Sequence, residues 1–244
     1  MHIRNSLVLL LAVTFMLVGG LANASDFVQP DSFKKHDPGS KFRIQYEDLN
    51  ILLDNLVVDV GRSKRETAEP QQAKTGTRMK VRVNRSTANE GNRFYYEGIR
   101  KEKGMAEILL KVQESLANIP DEISLEHFSR DEQLAYWLNL FNVAMINQVI
   151  VVYPQRSLKK LLVGSKSIMD DKILEVGGVQ LSLNDIQYTI LPENYDNNPL
   201  VMYGLYYGIV GGPNIRKRAY NGENVWRYLE ANALSLIHIS EPTR

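Results

Sequence analysis

Apolar positions recur at helical spacing most densely between Ser129 and Val151. Leu134, Trp137, Leu138, Phe141, Met145 and Val149 form a wide stripe with little charge among it. Ser129 and Glu132 stand at the S-x-x-E spacing of a capping box, where the hydroxyl takes an orphan amide and the carboxylate reaches back. The pattern predicts a helix over 130–151, buried on most of its circumference. Asn139 and Asn142 are three apart and share a face of it. Amides in so apolar a helix need partners.

The remaining pattern places shorter elements around this helix. Leu49, Leu52, Leu53, Leu56, Val57 and Val60 predict an amphipathic helix from Tyr46 to Val60, ended by Gly61. Residues 62–76 read as a polar loop. Met79, Val81 and Val83 alternate with Arg78, Lys80 and Arg82, the mark of a half-buried strand over 77–85, with a return strand at Arg93 to Tyr96. Met105, Ile108, Leu109, Val112 and Leu116 predict a helix from Lys103 to Ala117, closed by Pro120. Beyond the central helix, Ser157 to Leu162 reads as a helical turn. Gly177-Gly178 signals a hairpin between Lys172–Val176 and Val179–Leu181. Ser182 and Asp185 cap a helix that runs to Leu191, where Pro192 ends it. Leu200 to Val210 reads as a buried strand interrupted by Gly204 and Gly208. Gly211, Gly212 and Pro213 make a tight turn, and Asn221 caps a last helix over 223–233. The fold class expected is α+β: a helix-rich single domain with a small antiparallel sheet packed around a buried central helix.

The two ends of the chain read differently. Residues 1–24 have a weakly basic start, a twelve-residue apolar run from Leu7 to Val18 broken only by Thr14, and an A-x-A site at Ala22 and Ala24. That is the pattern of a secretory signal, with an uncleaved anchor as the alternative. Residues 25–41 hold two prolines and several charges and read as a flexible lead-in. Residues 42–117 then form N-terminal helices and a hairpin, and 118–233 the core. Residues 234–244 read as an artefactual tail: from Ser235 they resemble the translation of a sequencing-adapter read-through and interrupt a helix in mid-face. A genuine short polar tail is the alternative.

Composition narrows the chemistry. The 244 residues are 44% hydrophobic and 23% charged, with a formal charge of +1, so no nucleic-acid or acidic-membrane surface is indicated. The basic run Arg216, Lys217 and Arg218 reads as a solvated turn. There is no cysteine, which excludes disulfides, thiolate metal sites and thiol nucleophiles. Outside the leader, histidine is limited to His36, His127 and His238. His127, with Glu126, Ser129, Asp131 and Glu132 near it in sequence, is a conceivable general base, or a surface histidine near a helix start. Asp170 and Asp171 read as a solvated loop rather than a metal site. Gly164 to Ser167 lacks the G-x-S-x-G spacing of a hydrolase elbow.

A set of motifs in fixed order resembles the DUF547 family. They are Trp137, Asn139 and Asn142 in the central helix, Tyr153-Pro154 with Ser157-Leu158, the hairpin and cap from Val176 to Asp185, and Gly211 to Arg216 with Ala219-Tyr220. Gly76 to Arg78 and Glu90 to Arg93 resemble a bacterial exported branch of that family. The family pattern often carries a His, then an Asn-Cys, then a second Cys before a Pro, features that invite comparison with cysteine hydrolases. At the matching positions this chain has Met202, Tyr206-Tyr207 and Gly212. Met and Tyr cannot supply a thiolate and its base, so no catalytic site, metal or cofactor is carried over.

The tyrosines offer a binding alternative. On a strand, Tyr203 and Tyr207 would share one face, with Tyr206 on the other. With Asn139, Asn142 and Arg216 they would line a cleft suited to a neutral polar ligand such as a sugar or peptide. Alternatively, their hydroxyls pair with the asparagine amides inside the core. The function expected is a non-catalytic binding or structural module of the bacterial cell envelope, periplasmic or secreted. Its partner would be a neutral polar ligand or an envelope protein, with no nucleic acid and no stable membrane insertion after signal cleavage. The alternative is a hydrolase or transferase related to cysteine hydrolases that uses a different residue set.

Overall fold

A computed structural model describes residues 27–59, 91–102, 104–155, 157–158, 162–164, 167–209 and 212–240, with the backbone alone described for 237–240. The predicted signal, the polar loop over 62–76 and the strand over 77–85 lie outside the described residues. Among the described residues the fold is helix-rich α+β with two small antiparallel sheets of two strands each.

Its axis is the helix Arg130–Val152, here α6 once the preceding helices are counted: α1 (Asp31–Lys34), α2 (Glu47–Leu56), α3 (Tyr96–Lys101), α4 (Met105–Ala117) and α5 (Ile119–Glu122). Nearly every α6 residue from Glu132 to Val149 is buried, on all sides of the helix. Among the described residues it alone is long and apolar enough to cross a membrane, but 78% of its most apolar stretch is buried inside the protein. Helix α4 packs along one side, burying Leu109, Val112 and Leu116.

The segment before α2 is packed, unlike the flexible lead-in expected. Phe33 is 2% exposed and meets Trp137 edge-on at 5.1 Å. The Asn194 side chain donates to the Phe33 carbonyl at 2.8 Å, and the Asp37 amide donates to the Phe128 carbonyl at 3.0 Å. Buried aromatic area gives this stretch a place that its charge pattern hides.

Helix α2 stops at Leu56, short of the predicted Val60. The β-branched pair Val57-Val58 becomes β1 and pairs antiparallel with β2 (Arg93–Phe94), Val57 facing Phe94. The helix predicted from Lys103 begins at Met105, and Tyr96 opens α3 rather than continuing a strand.

The second hairpin follows its sequence signal. β3 (Leu174–Val176) and β4 (Val179–Leu181) pair in register, with Gly177 and Gly178 at φ 54° and 74°, the left-handed values a two-residue turn needs. Ser182 then starts helix α7 with a complete capping box. The Asp185 amide donates to Ser182 Oγ at 3.1 Å, and the Ser182 amide donates to Asp185 Oδ2 at 2.6 Å. Pro192 does not end this helix. An α turn (Leu183–Asp185) widens into a π turn (Ile186–Ile190), where the Leu191 amide reaches the Ile186 carbonyl, and an α turn (Leu191–Asn194) follows. Proline, which lacks an N–H, is tolerated once the hydrogen-bond register has shifted ahead of it.

The expected strand over 200–210 is instead a 3-10 helix, Pro199–Gly204, followed by irregular chain. Pro199 presets a helical φ, and the Asn198 side chain accepts the Leu200 amide at 3.0 Å. At Gly204 a Cβ would stand 2.8 Å from Leu138 and Leu229, so this turn lies directly on the core. The last helix, α8 (Val225–Ser240), is preceded by Asn221, whose side chain accepts the amides of Glu223 at 3.1 Å and Asn224 at 2.9 Å. It runs past the predicted end at 233, and Asn214 Nδ2 donates to Ser235 Oγ at 3.1 Å.

Candidate functional site

The five residues expected to line a cleft are spread over two settings. Asn139 Nδ2 donates to the Tyr220 carbonyl at 2.8 Å, and its Oδ1 accepts the Tyr220 amide at 3.0 Å. Asn142 Nδ2 donates to the Gly204 carbonyl at 2.9 Å, and its Oδ1 accepts the Tyr206 amide at 2.8 Å. Each side chain thus behaves as one peptide unit of a neighbouring strand, and each holds the irregular chain before α8 against α6. Arg216 donates to the Tyr228 carbonyl at 2.9 Å and lies 4.9 Å from the centre of the Tyr228 ring. Asn139, Asn142 and Arg216 do share a void with Leu49, Leu53 and Tyr220, but its volume is about 10 Å³, enough for one water at most. Tyr203 and Tyr207 lie outside it. The Tyr203 carbonyl accepts Asn232 Nδ2 at 2.8 Å, and Tyr207 meets Phe141 edge-on at 5.8 Å. The coiling of 199–204 removes the alternation that would have aligned these two rings. The amides of Asn139 and Asn142 pair with main chain, not with the hydroxyls of Tyr203, Tyr206 or Tyr207.

Glu132 was legible only in part. Ser129 Oγ accepts the Glu132 amide at 3.3 Å, half of a capping box. The carboxylate does not reach back. It is 0% exposed, with Oε1 accepting the Ile44 amide at 3.0 Å and Oε2 the Gly222 amide at 2.9 Å. Arg43 Nε stands 4.0 Å away. A Cβ on Gly222 would sit 2.7 Å from Oε2, so glycine is what permits the approach. Beside it the Tyr46 hydroxyl is buried without a well-formed hydrogen bond, and burial with the Glu132 charge raises its pKa well above the ordinary value. Glu132 lines none of the concavities described below, whereas Tyr46 stands at the edge of the groove between α2 and α4.

The positions where the family resemblance implies His and Cys are packed too. Met202 is half-buried against the core, and the Tyr206 amide is the one held by Asn142. Burial pushes the hydroxyls of Tyr206 and Tyr207 up, which keeps them protonated. His127 is exposed, in a 3-10 turn (Leu125–His127) ahead of α6. Asp170 accepts Asn184 Nδ2 at 2.5 Å. Among the described residues no three His, Asp or Glu converge as metal ligands.

Two open concavities are lined by described residues. One, of about 1020 Å³, lies between α2 and α4. The other, of about 580 Å³, is lined by Tyr96, Tyr153, Leu158 and Gly208. Tyr96 and Tyr153 stack at 5.8 Å, and the Tyr153 hydroxyl donates to Glu97 Oε2 at 3.2 Å.

Residues 125–237 match the family model for DUF547, described as a protein of unknown function. The match spans α6, the second hairpin, α7 and most of α8. It leaves out α2, α4 and the groove between them. No curated protein and no solved structure matches the chain.

Proposed function

We propose, from the DUF547 match over 125–237 as premise, that this chain is a binding or structural module of a bacterial cell envelope. It is exported by residues 1–24, periplasmic or secreted, and non-catalytic. The observation that carries the reading is the occupation of the positions where a nucleophile and base would stand. Met202, Tyr207 and Gly212 hold none of that chemistry, and the nearby amides of Asn139 and Asn142 are consumed by backbone. A ligand of neutral, polar and aromatic-compatible kind would be taken at an open concavity, not at the filled void beneath Arg216. Residues 234–244, which from Ser235 resemble the translation of a sequencing-adapter read-through, are taken in this reading as an artefactual tail.

The test is turnover. Purified protein incubated with thioester, ester and amide probes is expected to give rates equal to buffer. Turnover abolished by one substitution, at His127 or Tyr203 for example, would replace this reading with a hydrolase using a different residue set.

A further inference from the structure

We infer that the groove between α2 and α4 docks a cationic amphipathic helix of a partner protein, an inference that rests on the binding-module reading above. The groove encloses about 1020 Å³. Its base is the buried sides of Leu52, Leu56, Val112 and Leu116. Its walls are apolar groups that face solvent: Ile51 at 61% exposure, Tyr95 at 47% and Ile108 at 46%. Large aliphatic side chains turned outward on both walls of one cleft are the mark of an interaction surface rather than of scattered surface residues.

Charge selects the occupant. Among the described residues, Glu47, Asp48 and Glu102 line the cleft against one cation, Lys111. Among the described residues none of the four is engaged in an ion pair. The acidic excess attracts a basic segment and repels an acidic one, and a groove between two helices accepts a third by its apolar stripe. A partner helix with leucine-type residues at i, i+3 and i+4, flanked by Lys or Arg, satisfies both features. Two other occupants compete. One is a second copy of this chain. The other is residues 60–90 of the chain itself, which hold eight Lys or Arg against three acidic residues.

The experiment uses the full chain and three fluorescent synthetic peptides. They are an amphipathic Leu/Lys helix, the same pattern in Leu/Glu, and a scrambled Leu/Lys peptide of equal charge. Saturable binding of the first alone is expected, weakened at least tenfold by Ile108→Glu or Asp48→Lys, both at exposed positions that leave the fold intact. A photo-crosslinking residue at position 108 is expected to label that peptide. Equal binding of all three peptides, or affinity unchanged in both variants, overturns the proposal. So does a crosslink from position 108 to residues 60–90 or to a second copy that the peptide does not displace. Failure here together with null turnover leaves the binding-module reading standing. Turnover by the wild-type chain overturns that reading whatever the peptides do.

Discussion

At the scale of single residues, the protein is held by polar side chains that imitate backbone. Asn139 and Asn142 each satisfy one donor and one acceptor of a distant segment, and Glu132 takes two amides from opposite ends of the chain. A glutamine at 132 has one acceptor oxygen where two are used, and its NH₂ would face an N–H. Glu132→Gln is therefore expected to cost about 2 kcal/mol, the scale of a lost charge-assisted hydrogen bond in a buried site. Urea unfolding of the two proteins checks this, and an unchanged midpoint would mean that the Ile44 and Gly222 amides find other acceptors. The sequence showed that amides inside α6 must be paired. It did not show with what, because the partners are main-chain atoms 62 to 81 residues away, and a main-chain atom leaves no residue-type signature. Glu132 carried a stronger local signal, the capping box, which concealed its long-range one.

At the scale of elements, local chemistry was legible where it closes on itself. The Gly177-Gly178 turn and the Ser182–Asp185 box need only neighbours, and both occur as the spacing predicts. Ser182→Ala is expected to lower stability by about 1 kcal/mol, the usual loss for removing an N-cap side chain. A drop well beyond that would show that Lys172, which also contacts Asp185, depends on the same box. Differential scanning calorimetry of Ser182→Ala and Lys172→Ala separates the two contributions. Elements whose identity depends on tertiary setting were read less well. Apolar spacing carried α2 through Val57, where strand pairing with Phe94 takes over. Residues 199–204 are apolar like a strand, but Asn198 and Pro199 coil them, and Gly204 seats the coil on Leu138. Pro192 signals a helix end in sequence, and only the π turn ahead of it accounts for its place inside a helix.

At the scale of the molecule, α6 is a buried post to which the rest is strapped. The tyrosines packed on it carry a consequence for pH. Burial raises the pKa of Tyr46, Tyr96, Tyr136, Tyr195, Tyr206 and Tyr207, and pushes Tyr220 up to about 12. An unfolded tyrosine ionises near 10, so the folded chain binds these protons more tightly. Stability from this source is complete below about pH 10 and is lost as pH rises through the folded-state values. Absorbance at 295 nm is expected to show these seven hydroxyls ionising together with loss of near-ultraviolet circular dichroism. Their gradual ionisation in a chain that keeps its tertiary signal would contradict the burial described. The central claim is that the residues resembling a ligand site, Asn139 and Asn142, are instead straps between α6 and the chain that leads into α8. Thermal and urea unfolding of Asn139→Ala and Asn142→Ala measures it most directly. Each substitution is predicted to cost about 1–3 kcal/mol, because it strands a buried amide and a buried carbonyl. Unfolding curves that overlay the wild type would contradict the claim, since amides that can be removed without loss are free to meet a ligand.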